Sequence, residues 1–322
     1  MSISVLHFPL QNTDKLKVSI VDKQKNSNGI YYLGMVFVVL IWGIFPVLTK
    51  KLFTFYTPSL WDTAGSMIAV ISLLILGRKK LKQLNWDYFK VAVPTGLFFS
   101  AACLTQKFGL TMTTPAMFAF LENLTCVFVP LLMLLFVKQK LTLPKILAAL
   151  LCLAGVFALC SNGLTLRFGP GEILCGLAGV FYAVNIAGTS AFGKKLDTGL
   201  YLLIQFSVHG IISAIYSILF VDVWKFSFAP QHLISLVSIV LISTVLCWMI
   251  RTACLKRLDP SFVAIIMPFS SVVTSVVSIW AGTDTLSAAL IIGAILMFAA
   301  IMLSGLADSF RTSHKKAKDT AE

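Results

Sequence analysis

The chain is divided into apolar blocks of close to 20 residues, and no other feature limits its fold as strongly. Blocks at about 31–50, 59–77, 88–107, 115–137 and 144–161, then 171–192, 200–220, 232–255, 261–280 and 286–306 each have the length an α-helix needs to cross roughly 30 Å of hydrocarbon. Backbone in lipid must satisfy its own hydrogen bonds, so blocks joined by such short connections predict ten antiparallel membrane-spanning helices. Composition agrees, with 58% hydrophobic and 12% charged residues against about 25% charged in a soluble domain. So few charges cannot cover that apolar surface in water.

The net charge of +13 raises nucleic-acid binding, but the distribution argues against it. The basic residues gather in alternate connections, not on one helix face, which is the pattern that orients membrane proteins. With the N-terminus in the cytoplasm, only Lys50, Lys51, Lys107, Arg167 and Lys225 of the 26 basic residues fall outside; the cytoplasmic segments include Arg78 to Lys82, Lys145, Arg251, Lys256 and both tails. The reading is a multi-pass protein of the cell (plasma or inner) membrane with both termini cytoplasmic. Residues 1–30 and 307–322 are the tails, and no signal peptide precedes the first span. All seven cysteines lie inside apolar blocks, with no C-x-x-C pair and no histidine at ligand spacing. They read as packing residues, and no metal or cofactor is expected.

The two halves of the chain resemble each other. A shift of 145 residues lays Pro115 on Pro260, Ala119 on Ala264, Leu121 on Ile266, Thr125 on Ser270 and Leu141 on Leu286. Residues 31–162 and 171–306 are thus expected to be two five-helix repeats. Five is odd, so the second repeat enters the membrane inverted. The expected fold is an all-α integral membrane protein with ten transmembrane helices as two inverted five-helix repeats. That symmetry is the usual basis of alternating access, with the site near the midplane between the halves.

The stretch Trp248-Met249-Ile250-Arg251-Thr252-Ala253-Cys254-Leu255-Lys256-Arg257-Leu258-Asp259-Pro260-Ser261 resembles the eighth-to-ninth helix junction of EamA-type proteins of the drug/metabolite transporter superfamily. Gly282-Thr283-Asp284-Thr285-Leu286 is similar to the family's helix ending, and Lys138-Gln139-Lys140-Leu141 to its first-half counterpart, with Gln139 where the family usually has Glu. Trp42-Gly43 and Tyr182-Ala183 resemble the repeat-start signature. The resemblance covers roughly residues 31–306. It implies a 5+5 helical transporter that uses no ATP, with metabolite or amino-acid efflux the commonest role.

An ionisable group inside the bilayer costs at least ~2.5–3.5 kcal/mol, so each one needs a reason. Glu122 lies in the fourth block, about 10 Å below its outer end at 1.5 Å per residue. It is a candidate for proton coupling or for holding a substrate ammonium; a hydrogen bond between helices explains it equally well. His209 lies in the middle of the seventh block with Gln205, Ser213 and Tyr216 at helical spacing. That stripe must face protein or water, and His209 is a second proton-coupling candidate. Tyr182, Asn185 and Thr189 form a similar stripe in the sixth block. Trp42, Tyr182 and Trp248 fall within blocks and suit a stacked or cationic solute. Trp61, Trp86, Trp224 and Trp280 fall at block ends, where interfacial anchoring explains them. Trp42, Glu122, Tyr182, Asn185, His209 and Trp248 are therefore the substrate-site candidates. Pro46, Pro94, Pro130 and Pro268 interrupt four blocks.

No catalytic motif is present. The expected function is secondary transport of small neutral, zwitterionic or cationic metabolites, amino acids first, by a monomer or homodimer in contact with membrane lipids. Phosphorylated substrates are disfavoured, because 261–280 contains no basic residue. The alternatives are an intramembrane enzyme using Glu122 and His209 as an acid–base pair, and a receptor or structural membrane protein.

Overall fold

In the computed structural model, residues 29–44, 48, 52, 54–112, 121–138, 141–160, 169–220, 225–280 and 287–319 are described, by backbone alone at 110–111, 159–160, 278 and 305–319. The tail 1–28, Lys50, Lys51, Arg167, Trp224, Pro46, the Pro115 and Ala119 positions of the repeat, Gln139 and the 282–286 ending lie outside them.

The described helices are, in chain order, α1 (Gly29–Ile44), α2 (Pro58–Gly77), α3 (Trp86–Met112), α4 (Thr125–Val137), α5 (Leu143–Cys160), α6 (Pro170–Phe192), α7 (Thr198–Phe220), α8 (Pro230–Leu255), α9 (Pro260–Ile266, then Phe269–Trp280) and α10 (Ala288–Asp319). Six of these, α2, α3 and α6–α9, are long and apolar enough to cross a membrane. The shorter apolar helices are α1, α4, α5 and the 288–304 part of α10. Large apolar side chains such as Leu33, Met67, Ile75, Leu135, Ile218 and Ile295 point outward, as a lipid-facing exterior requires. The chain is a multi-pass membrane protein.

Local signals set the helix ends. Proline stands at the first turn of α2, α6, α8 and α9, where its missing N–H is not needed. Asp259 caps α9 by accepting from the Ser261 N–H at 2.9 Å. Lys138 ends α4 in the left-handed conformation, φ 51°, its N–H donating to the Met133 carbonyl. Pro268 splits α9, whereas Pro94 and Pro130 are carried within α3 and α4. In α8, residues Val240–Leu246 form a π-helical segment between two α-helical parts, an irregularity that frequently marks functional positions.

Contacts follow a reciprocal pattern. α3 packs along α6 and α7, α4 along α6, α2 along α7 and the π segment of α8, and α5 along α10. α1 lies against α8, where Gly34 faces Ile250 and Cys254, and against α9, where Thr274 donates to the Gly43 carbonyl at 2.8 Å. Two close approaches depend on glycine. A Cβ at Gly43 would lie 2.8 Å from the Ser270 carbonyl oxygen of α9, and one at Gly179 of α6 would lie 2.9 Å from the oxygens of Leu121 and Glu122, just before α4. The hydroxyl and thiol groups of Thr125 and Cys254 close the same seams, donating to Gly179 O at 3.0 Å and Tyr31 O at 3.2 Å. In α9, Thr274 and Ser275 donate to carbonyls one turn back, Thr274 also reaches α1, and Ser271 accepts from the Asn123 amide at 3.5 Å, contacts that pack helices together.

Two basic residues expected in connecting segments are buried instead. Lys145, in the first turn of α5, is 1% exposed and pairs with Asp259 at 2.5 Å, joining the first half of the chain to the second. Arg251 is 3% exposed within α8. A side chain one turn from a helix end is still enclosed when a neighbouring helix crosses there.

Removing one partner of a buried pair strands the other charge. Lys145→Met is therefore expected to destabilise the protein by about 3–5 kcal/mol. Adding Asp259→Asn, which keeps the helix cap, should recover part of the loss. Unfolding of detergent-solubilised protein by SDS titration measures both.

Candidate functional site

Among the described residues, a cavity of about 130 Å³ opens between α2, α3, α6, α7 and α8. Its walls are aromatic: Phe99 from α3, Tyr182 from α6, Phe206 from α7 and Trp248 from α8, with Trp61 of α2 at one end. Phe99 is the hub, its ring centroid 4.7 Å from Trp248, 5.0 Å from His209 and 5.8 Å from Phe206, all edge-on. Edge-to-face packing of this kind holds rings at fixed angles. Trp61 packs edge-on to Tyr56 at 5.7 Å and lines the cavity. Trp86 and Trp280, at helix ends, are exposed.

The cavity also holds charge. Asp62, on the first turns of α2, forms an ion pair with Lys107 of α3. His209 Nε2 lies 3.9 Å from the same Asp62 carboxylate, and among the described residues its Nδ1 has no hydrogen-bond partner. Asp62 and His209 both line the cavity. The polar stripe of α7 faces inward as its spacing requires, Gln205, His209 and Ser213 all being buried.

Glu122 reaches the cavity indirectly. Gln106 of α3 donates from Nε2 to Glu122 Oε1 at 2.9 Å and accepts from the Tyr182 hydroxyl at 2.9 Å. Tyr182 also lies 3.3 Å from the Cys103 thiol on the cavity wall. One amide therefore connects the carboxylate to a lining hydroxyl. Glu122 sits where helical structure breaks at Asn123–Leu124 ahead of α4, held against α6 by the close approach at Gly179.

The remaining candidates divide. Trp42 of α1 does not line the cavity; its indole donates to Ser243 O of the π segment at 2.8 Å and its ring lies 5.5 Å from Trp248. The Arg251 guanidinium lies over both rings, 4.4 Å from Trp248 and 6.0 Å from Trp42. Asn185 belongs to a separate buried cluster, donating to Thr95 O at 3.1 Å, beside the Tyr201 hydroxyl that Thr95 and Thr189 each meet at 2.7 Å. Below that cluster Lys256 Nζ donates to Leu196 O at 2.7 Å and Thr198 Oγ1 at 3.0 Å. Burial pulls this ammonium down to about 8. Lys80 pairs with Asp197 at 2.6 Å at the same end of the bundle.

Sequence reasoning overlooked Asp62, Gln106 and Lys107. Asp62 was visible as a charge near the start of an apolar block, where it resembles an interfacial residue. Its partner lies about six helical turns along α3, and no local pattern predicts which residues two packed helices bring together.

The profile of the EamA-like transporter family matches the chain twice, over residues 29–161 and 169–306. None of the curated proteins matches it. One solved structure, described only as "Crystal structure of protein", superposes with a TM-score of 0.74 at 18% identity, covering 87% of this chain and 98% of the other. At that identity the likeness is one of fold.

Because Gln106 serves both partners, Tyr182→Phe and Glu122→Gln are expected to be non-additive by about 0.5–3 kcal/mol in unfolding free energy. A double-mutant cycle by SDS unfolding tests this, and strict additivity would show that the two groups act separately.

Proposed function

We propose, from the premise that the chain belongs to the EamA-like transporter family, that it is a secondary transporter. It moves small metabolites, amino acids first among them, by alternating access, and efflux is the direction we favour. The observation that carries this reading is the cavity, enclosed by helices of both halves and lined by a carboxylate, a histidine and five aromatic side chains. Water-filled sites with intramembrane charges are how carriers bind and couple their solutes.

The helix contacts support ten spans in two inverted repeats. Exchanging α1–α5 for α6–α10 leaves the pattern unchanged: α1 with α8 matches α6 with α3, α1 with α9 matches α6 with α4, and α2 with α7 and α5 with α10 map onto themselves. The glycines at the two equivalent seams, Gly43 and Gly179, fit the same exchange. With both termini cytoplasmic, the end of the bundle closed by Lys145–Asp259, Lys80–Asp197 and Lys256 faces the cytoplasm. The cavity then approaches the outer side past Trp61. Opening requires those inner contacts to part, and Pro268 and the π segment are places where α9 and α8 can bend.

Glu122 and His209 remain the proposed proton-coupling groups, and Asp62 joins them because it meets His209 directly. Trp42, Tyr182, Asn185 and Trp248 are the proposed solute-binding candidates, with Asn185 acting through its cluster and not the cavity wall.

Glu122→Gln and Asp62→Asn are each expected to slow proton-coupled uptake or exchange in proteoliposomes by about tenfold or more, with expression intact. The solutes for that assay come from a thermal-shift screen of purified protein against metabolites. Wild-type rates in both variants would remove the carboxylates from the mechanism.

A further inference from the structure

We infer that Arg251 is the anchor for a carboxylate on the solute, so that the cargo of this cavity is a small monocarboxylate or zwitterion. This rests on the transporter reading above. The starting point is an uncompensated charge. Arg251 is 3% exposed, and among the described residues its guanidinium has neither a salt-bridge nor a hydrogen-bond partner; Nε in particular is buried and unpaired. What it has is ring contact, 4.4 Å from the centroid of Trp248 and 6.0 Å from that of Trp42. The titratable side chains within electrostatic reach are Tyr182, Tyr201 and Cys103, which carry no charge when protonated.

A buried cation held only on aromatic faces lacks the acceptor that guanidinium usually finds, and a membrane bundle is an expensive place to leave it so. Two other cations among the helices are already matched, and the Glu122 carboxylate is held by the neutral Gln106 amide. Lys107 takes Asp62, and Lys145 takes Asp259. Among the described residues Arg251 is therefore the unpaired cation beside a wall that the solute touches, because Trp248 both lines the cavity and carries the guanidinium on its ring.

The chemistry narrows the ligand. Guanidinium presents two parallel N–H donors that match a carboxylate. A single available cation suits a single negative charge and leaves a phosphate dianion half compensated. A cavity of about 130 Å³ is near the roughly 150 Å³ that takes a benzene-sized molecule, so the carboxylate's remainder is small, and the ring walls favour an apolar or aromatic one. Swinging the Trp248 ring aside exchanges a cation–π contact for an ion pair, which places the anion toward Arg251.

The test uses the purified full-length protein and matched probes: benzoate with benzamide, L-phenylalanine with L-phenylalaninamide, L-threonine with L-threoninamide, and inorganic phosphate. Binding is read by thermal shift and by quenching of tryptophan fluorescence. At least one carboxylate is expected to bind about tenfold or more tightly than its amide. Arg251→Met should lose that preference, and Arg251→Lys should weaken binding by about tenfold through loss of the fork. Without ligand, Arg251→Met should melt at or above the wild-type temperature, since it removes an unpaired buried charge; a purely structural arginine would make it melt lower. Binding of amides as tight as of carboxylates, binding of phosphate alone, no binding of any carboxylate, or an unchanged preference in Arg251→Met each overturns the assignment. Proteoliposome uptake separates the two readings. Arg251-dependent carboxylate binding without any transport would leave the anion site standing and reject the transporter, whereas transport unchanged in Arg251→Met would do the reverse.

Discussion

Hydrocarbon offers no partner to a charge, and the arrangement of this bundle follows from where its charged side chains find theirs. Asp62 of α2 can be carried among apolar helices because Lys107 of α3 meets it and His209 of α7 stands beside it. Satisfying that one carboxylate brings three helices together. Tyr182 of α6 and the π segment of α8 complete the enclosure, and two of the polar groups that bind the helices, Asp62 and His209, line the cavity. A buried ion pair adds little net stability compared with apolar packing, so its presence here is better explained by a cavity that needs charge than by stability alone.

The same economy recurs at one end of the bundle. Lys145 with Asp259 and Lys80 with Asp197 join segments far apart in sequence. Such pairs add to the apolar clusters that already join the two halves. Arg251 differs from all of these in resting on rings alone, and for that reason it is the group from which the ligand's charge can be argued.

Much of the architecture was legible in the sequence because membrane helices obey a length rule that needs no tertiary knowledge. Block positions correspond to helices, the α7 stripe faces inward, and Tyr182, His209 and Trp248 meet in one cavity. The failures have physical reasons. Arg251 and Lys145 lie near block ends, where one dimension cannot tell a loop from a helix enclosed by its neighbours. The π segment leaves no compositional mark on Val240–Leu246. The Glu122–Gln106–Tyr182 chain depends on the register between α3 and α6, and so does the separation of Asn185 from the cavity, three residues beyond Tyr182 on the same helix and turned toward α3.

If the cavity opens to each side of the membrane in turn, as proposed, Cys103 on its wall is the natural reporter. In a variant retaining this cysteine alone, reconstituted in liposomes, a small membrane-impermeant thiol reagent should modify Cys103 when added from either side, and a bound solute should protect it from both. Modification from one side only, however long the exposure, would contradict alternating access through this site.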